Sequence, residues 1–430
     1  MKKIALLVSA AMLLTTAAFA DDGGKASLQW SLWGRTVWAP IMSNSVGDPT
    51  TTMGVGWGNA TRNTLFVKGD AGNIGFDLTL GYDNGSLAQS WNDGPIDVWA
   101  KPFDGLKIST GYLEDYTLRG EADYGDWDWI RTIGVGDDAI FQGVGTVEGG
   151  AAGPISTEVS YAVGPLYVYY DQAYTENSAN SLSPTTTAFY DYLEAFKNAS
   201  YGLGYTIPGV GQIRIQNVGY DRASWGWAGY ATNGRSAPYG FGMFQAAFKL
   251  TGIKDLYVDI GYWVPTAFLD NANGALAGGF DWRIPLFATY QMGKLKVSFN
   301  ADLMSVNKGA WYYGNAMTSS GLTNDGSSQI GWLAGIGLDY ALGGGLGLTG
   351  DFKMDNRFDS LNTSLGAGNV NAQATAMIGI TKSLASGDIG MGFEWLNGGP
   401  FAMGNSSAST QNSTNPQNNW AIPVRIDYWF

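Results

Sequence analysis

The sequence predicts an all-β chain closed into a transmembrane antiparallel up-and-down β-barrel of 18 strands, within a range of about 16–20. Three observations predict it. Apolar and polar residues alternate in runs of about 9–11 residues, the length that crosses a bilayer when a strand is tilted. Tight turns alternate with long polar connections. Charged side chains within the strands gather on one face only.

From the amino terminus, Met1, Lys2 and Lys3 precede an apolar run, Ile4 to Phe19, and the small-x-small sequence Ala18-Phe19-Ala20. That order predicts a cleaved export signal peptide over 1–20 rather than an anchor, leaving 21–430 as one barrel domain. No later segment approaches the roughly 18 apolar residues of a transmembrane helix.

An opening strand is expected near 27–35, and period-2 alternation continues from there. Examples are Ile74, Phe76, Leu78, Leu80, Tyr82, then Ile155, Thr157, Val159, Tyr161, Val163, and later Ile330, Trp332, Ala334, Ile336, Leu338, Tyr340. Tight turns are expected at Asp70-Ala71-Gly72, Pro102 to Gly105, Val163-Gly164-Pro165, Pro208 to Gly211, Thr251-Gly252, Met292-Gly293, Gly343 to Gly345 and Ala385-Ser386-Gly387. Between them lie polar stretches rich in Asn, Ser and Gly, such as 36–61, 114–154, 174–197 and 398–417. Eight hairpins with an opening and a closing strand make 18, an even number with both termini on the short-turn side. A hairpin from Ile130 to Val135 and Ala139 to Val147 would raise the number to 20, but Gly134, Gly136, Gly143 and Gly145 weaken it.

On the faces read as outward no Asp, Glu, Lys or Arg is expected, and Asn217 is the worst violation. The opposite faces carry Arg35, Asp97, Lys107, Glu158, Asp171, Arg214, Asp259, Arg283, Asp302, Glu394, Arg425 and Asp427 among others. A charge on a lipid face at mid-bilayer costs about 2–4 kcal/mol, which gives the segregation a physical cause.

Composition agrees. There are 62 glycines in 430 residues, aromatics are 14% and charged residues only 14%, where about 25% is usual for a soluble domain. Cysteine and histidine are both absent, which removes disulfides, thiolate sites, imidazole ligands and every His-dependent catalytic triad or proton shuttle. No enzymatic activity and no cofactor are expected. The net charge of −13 becomes −15 once Lys2 and Lys3 leave with the signal peptide, which argues against nucleic acid or anionic lipid as a partner.

The chain ends NNWAIPVRIDYWF, with Ile422, Val424, Ile426, Tyr428 and Phe430 on one face and an aromatic last residue. This ending resembles the terminal signature of bacterial outer-membrane proteins, and the architecture resembles the general porins. The resemblance implies a location in the cell outer membrane with short periplasmic turns and long extracellular loops, contact with outer-membrane lipid, insertion by the barrel-assembly machinery reading Tyr428 and Phe430, and a homotrimer. It also implies that the third long loop folds into the lumen. That loop is 114–154, whose Glu114, Asp115, Glu121, Asp123, Asp126, Asp128, Asp137 and Asp138 outnumber Arg119 and Arg131. Facing wall residues Arg35, Lys107, Arg214, Arg283 and Arg425, its carboxylates would form the pore constriction and favour cations. Alternatively the loop lies outside as an acidic cap.

The function expected is a water-filled channel for passive diffusion of small hydrophilic solutes and ions. Two other readings stay open. Loop tryptophans Trp38, Trp57, Trp91, Trp127, Trp129, Trp225, Trp227 and Trp311 would suit a sugar-selective channel, though interfacial girdles also need Trp. Nine sizeable loops would suit an adhesin or a structural surface protein. Asp126/Asp128 and Asp137/Asp138 read as solvated loop acids rather than Ca²⁺ ligands, so no metal is expected.

Overall fold

A computed structural model of the protein describes residues 26–43, 50–54, 61–83, 95–113, 117–118, 156–173, 199–218, 242–266, 280–307, 328–355, 373–397 and 418–430. The signal peptide, most of the 114–154 loop with its rival hairpin, and the remaining long connections lie outside them. The described chain is all strand: β1 (Ser27–Ser43), β2 (Thr50–Gly54), β3 (Thr61–Asp70), β4 (Ile74–Asp83), β5 (Ile96–Phe103), β6 (Leu106–Tyr112), β7 (Ser156–Val163), β8 (Leu166–Ala173), β9 (Ser200–Ile207) and β10 (Gly211–Val218). There follow β11 (Gly242–Leu250), β12 (Leu256–Thr266), β13 (Phe280–Met292), β14 (Leu295–Asn307), β15 (Ser328–Gly343), β16 (Leu346–Asp355), β17 (Gln373–Leu384), β18 (Gly387–Asn397) and β19 (Asn418–Trp429).

From β3 onward each strand pairs antiparallel with the next, and β19 returns to β1. The ring therefore has no open edge, which removes the unpaired backbone that an edge strand presents. The lower half of β1 (Ser27 to Thr36) pairs with β3 and its upper half (Val37 to Met42) with β2. β2 and β3 are thus two pieces of one wall position, and 19 strands make an 18-strand barrel. At the seam, Leu32 and Phe430 exchange both backbone hydrogen bonds, at 2.9 and 2.8 Å.

All eight expected short connections are present, and one turn is displaced: after β11 the chain reverses at Ile253 to Asp255, with Asp255 at φ 62°, rather than at Thr251-Gly252. At another, Gly343, Gly344 and Gly345 hold φ of 112°, 59° and 77°, a left-handed run that a side chain would strain. The opening strand differs from expectation: it runs to Ser43 rather than stopping near 35. Its extension pairs with β2 and β19, and Pro40 falls at the register shift between Trp38 and Ile41, where its missing N–H breaks no ladder bond. Trp38 is consequently a strand residue paired with Val424, not a loop residue.

The faces are inverted relative to a soluble protein. Ile378 is 65% exposed, and Trp30, Val98, Met391, Ile336 and Leu338 are exposed with it on the outer surface. The buried set on the inner face is mostly polar, with Asp97, Glu158, Asp171, Arg214, Gln216, Gln245, Asp259, Arg283 and Arg425 beside a few apolar groups such as Trp99 and Trp263. Tyr161, Tyr205, Tyr290, Tyr340, Tyr428 and Phe430 sit within a few residues of the short-turn end, the place of an aromatic girdle. Asn217 is outward but buried, with its Nδ2 directed at the Ala199 carbonyl at 3.5 Å. One expectation fails here. Lys382 pairs with Ile389 and Leu346 on the outward face, so that face does carry a charge. It lies beside the 385–386 turn and donates to the Gly344 carbonyl at 2.5 Å, at the rim where the cost of a charge is small.

Candidate functional site

The inner wall is built by register, because each inward residue meets the inward residues directly opposite it on both neighbours. At the seam Arg35 grips Asp427 through two bonds, Nε to Oδ1 at 2.7 Å and Nη2 to Oδ2 at 2.9 Å. Arg425 follows on the other side, with Nη2 donating to Asp388 Oδ1 at 2.6 Å and Nη1 lying 3.5 Å from Asp427. The chain Arg35–Asp427–Arg425–Asp388 ties β1, β19 and β18 together near the short-turn end.

On the opposite wall Arg214 of β10 is fully buried and donates to Asp259 of β12, which also accepts from the Tyr257 hydroxyl at 3.0 Å. Arg283 of β13 makes a two-bond contact with Asp302 of β14 and stacks over Trp263, 5.0 Å from its ring centre. A neutral polar row runs along this wall from β8 to β11: Tyr169 donates to Gln216 Oε1 at 3.0 Å, and Gln216 Nε2 donates to Gln245 Oε1 at 2.5 Å. The expected wall residues Arg35, Lys107, Arg214, Arg283 and Arg425 all occupy the inner wall. The four arginines are matched by wall carboxylates. Lys107, half-exposed, lies with Lys101 over the Trp99 ring, 5.8 and 4.6 Å from its centre.

The loop that follows β6 reaches this wall. Leu118 is 2% exposed and packs on Ala247, Tyr167 and Tyr169, on the inner wall two to five strands further round the ring than β6. Its carbonyl accepts from Arg214 Nη1 at 3.0 Å. The seat exists because β9 reads Tyr201-Gly202-Leu203-Gly204, with both glycines facing inward. A Cβ on Gly202 would lie 2.5 Å from Tyr169 Cε1 and 2.8 Å from Leu118 Cδ1; one on Gly204 would lie 2.6 Å from Leu118 Cδ2. Paired inward glycines at i and i+2 are the signal from which such a seat could have been read. Of the expected constriction residues, Glu114, Asp115, Arg119, Glu121, Asp123, Asp126, Asp128, Arg131, Asp137 and Asp138 all lie outside the described residues. So do the loop tryptophans other than Trp38.

A cleft of about 350 Å³ opens in the wall between β3 and β8, with Lys68, Asp97, Lys107 and Glu158 in its lining and Thr117 over it. Among the described residues no cluster of three or more acidic groups is arranged to hold a metal ion.

No protein-family model and no curated protein matches the sequence. Solved structures do. The chain is similar to OccAB4 of Acinetobacter baumannii at 8% identity, over 95% of this chain and 100% of that one, with a TM-score of 0.47. A porin refined at 1.8 Å matches at 11% identity over 94% of this chain and all of its own, with a TM-score of 0.44. The trimer form of OmpT from Vibrio cholerae matches at 11% identity over 94% and 99%, with a TM-score of 0.42.

Proposed function

We propose that the protein is an outer-membrane channel for passive diffusion of small hydrophilic solutes and ions, with a preference for cations. The inversion of its surfaces carries this reading: a closed ring presents Ile, Leu, Val and Met outward and buried charge inward. A bilayer outside and an aqueous path inside is the pair of environments that suits both faces. Contact with outer-membrane lipid, assembly through the Tyr428 and Phe430 ending, and removal of 1–20 on export belong to the same reading.

The loop 114–154 narrows the path. Supporting this, Leu118 is seated on the inner face of β8–β11 with its carbonyl held by Arg214. The cation preference draws support from the wall. Arg35, Arg214, Arg283 and Arg425 each sit against a carboxylate, so their charge is balanced locally, while the cleft between β3 and β8 is lined by Asp77, Asp97 and Glu158 against Lys68 and Lys107, one negative charge in excess. A focused negative potential in a narrow path raises the local concentration of cations.

The test is conductance and reversal potential of purified protein in planar bilayers, for the wild type and for a variant lacking 116–150. Ohmic steps with a cation-selective reversal potential are expected, with larger steps and weaker selectivity in the variant. Absence of conductance would overturn the channel, and anion selectivity would overturn the preference.

A further inference from the structure

We infer that the cleft between β3 and β8 binds small zwitterionic solutes with the charge pattern of an α-amino acid, which rests on the channel reading and names a solute class for it. Ser109 stands at its centre. Across the ladder it faces Trp99 on β5 and Glu158 on β7. Two residues along β6 towards the short turn is Lys107, and diagonally across β5, on the long-loop side, is Asp97. The far edge is the Lys68–Asp77 pair at 3.3 Å.

Lys107 and Glu158 therefore sit one diagonal step apart on a sheet whose direct neighbours are about 4.5–5.5 Å apart and whose diagonals are about 7–8 Å, with Asp97 further towards the long-loop side. A solute with a single charge is attracted by one end and repelled by the other. One that carries ammonium and carboxylate on the same carbon answers both, with its carboxylate at Lys107 and its ammonium at Glu158, on the side of Asp97.

Two further observations point to a polar ligand of this kind. Ser109 is 3% exposed and lines the cleft, and its hydroxyl has no hydrogen-bond partner among the described residues. Burying a hydroxyl without a partner is unfavourable, and a ligand carboxylate supplies a charge-assisted one. Second, the Trp99 ring is already covered by the ammonium groups of Lys101 and Lys107, which takes away the stacking platform that a neutral sugar would use. At about 350 Å³ the cleft lies near the lower end of ligand pockets, which run about 300–1,000 Å³.

Ligand-observed NMR titration of the full-length protein in detergent micelles tests this with L-alanine, propionate, propylamine and glucose as probes. L-alanine is expected to bind at least tenfold more tightly than the other three, and Ser109→Ala and Lys107→Gln each to weaken it about tenfold, as loss of a charge-assisted hydrogen bond does. Equal binding of all four probes, tighter binding of glucose, or L-alanine binding unchanged in both variants overturns the inference. Far-UV circular dichroism checks folding, and if Ser109→Ala does not fold, the half-exposed Lys107→Gln decides alone. Ohmic conductance without L-alanine binding would defeat the cleft and leave the channel standing. L-alanine binding without conductance would do the reverse.

Discussion

Gly204→Ala should destabilise the protein through one side chain, Leu118. The backbone at Gly204 has no left-handed φ, so an alanine there is not strained by conformation. Its methyl group would lie 2.6 Å from Leu118 Cδ2, with Gln212 Nε2 next at 3.2 Å and Gln212 Cδ at 3.9 Å. The Gln212 tip can swing away. Leu118, held between Ala247, Tyr167 and Tyr169 and tied by its carbonyl to Arg214, cannot do so without leaving its seat. Overpacking of this kind costs about 1–3 kcal/mol. Leu118→Ala alone should cost about 2 kcal/mol or somewhat more, the lower end of the range for a buried leucine, because a seat floored by glycines relaxes around it. In the double variant the clash is gone and the new methyl fills part of the space. The cost of Gly204→Ala should then fall near zero, leaving a coupling of about 1–3 kcal/mol against a cycle error of about 0.3–0.5. Urea unfolding in micelles followed by far-UV circular dichroism measures all four proteins, and single-channel noise in the same set reports release of the loop. Equal costs for Gly204→Ala in both backgrounds would refute the seating of Leu118 on β9, and with it the main support for a loop that enters the lumen.

Two other expectations concern charge on the two faces. Arg283→Leu should cost about 3–5 kcal/mol in the same unfolding assay because it strands the buried Asp302 carboxylate, and Arg283→Leu/Asp302→Leu should recover most of that loss; equal costs would show that the pair is not one unit. Ile378→Lys on the exposed outer band should cost about 2–4 kcal/mol and slow insertion into lipid vesicles, whereas Lys382→Leu at the rim should change stability by about 1 kcal/mol or less; similar effects at both sites would contradict a bilayer at the level of Ile378.

The strands, their faces and the eight short connections were legible because their signals are local: period-2 alternation and turn residues act within about ten positions of chain. Register is not local, and what depends on it was not legible. Arg35 and Asp427 are 392 residues apart and Arg214 and Asp259 are 45 apart, so the wall carboxylates that pair with these arginines could not be read from the local sequence. The same limit hid the docking of Leu118, whose partners come from four other strands. It also hid the extension of β1, where Pro40 reads locally as a break until a register shift accommodates it. Lys382 was missed for another reason: close to a turn the cost of an outward charge falls away, so the rule that clears mid-strand positions loses its force there.

The seam between β1 and β19 also bears on how the barrel forms. Its ladder joins Trp33 through Ser43 to Trp420 through Trp429, and no strand between them can substitute. Any chain that lacks residues 420–430 is a curved sheet with two bare edges, each able to pair with another chain. Contacts of such long sequence separation also form slowly, since loop closure has to precede them. Closure thus needs both ends of the chain in place, and until it occurs the open edges expose the chain to aggregation. Protection of the β1 and β19 edges during that interval matters more than the stability of any finished hairpin.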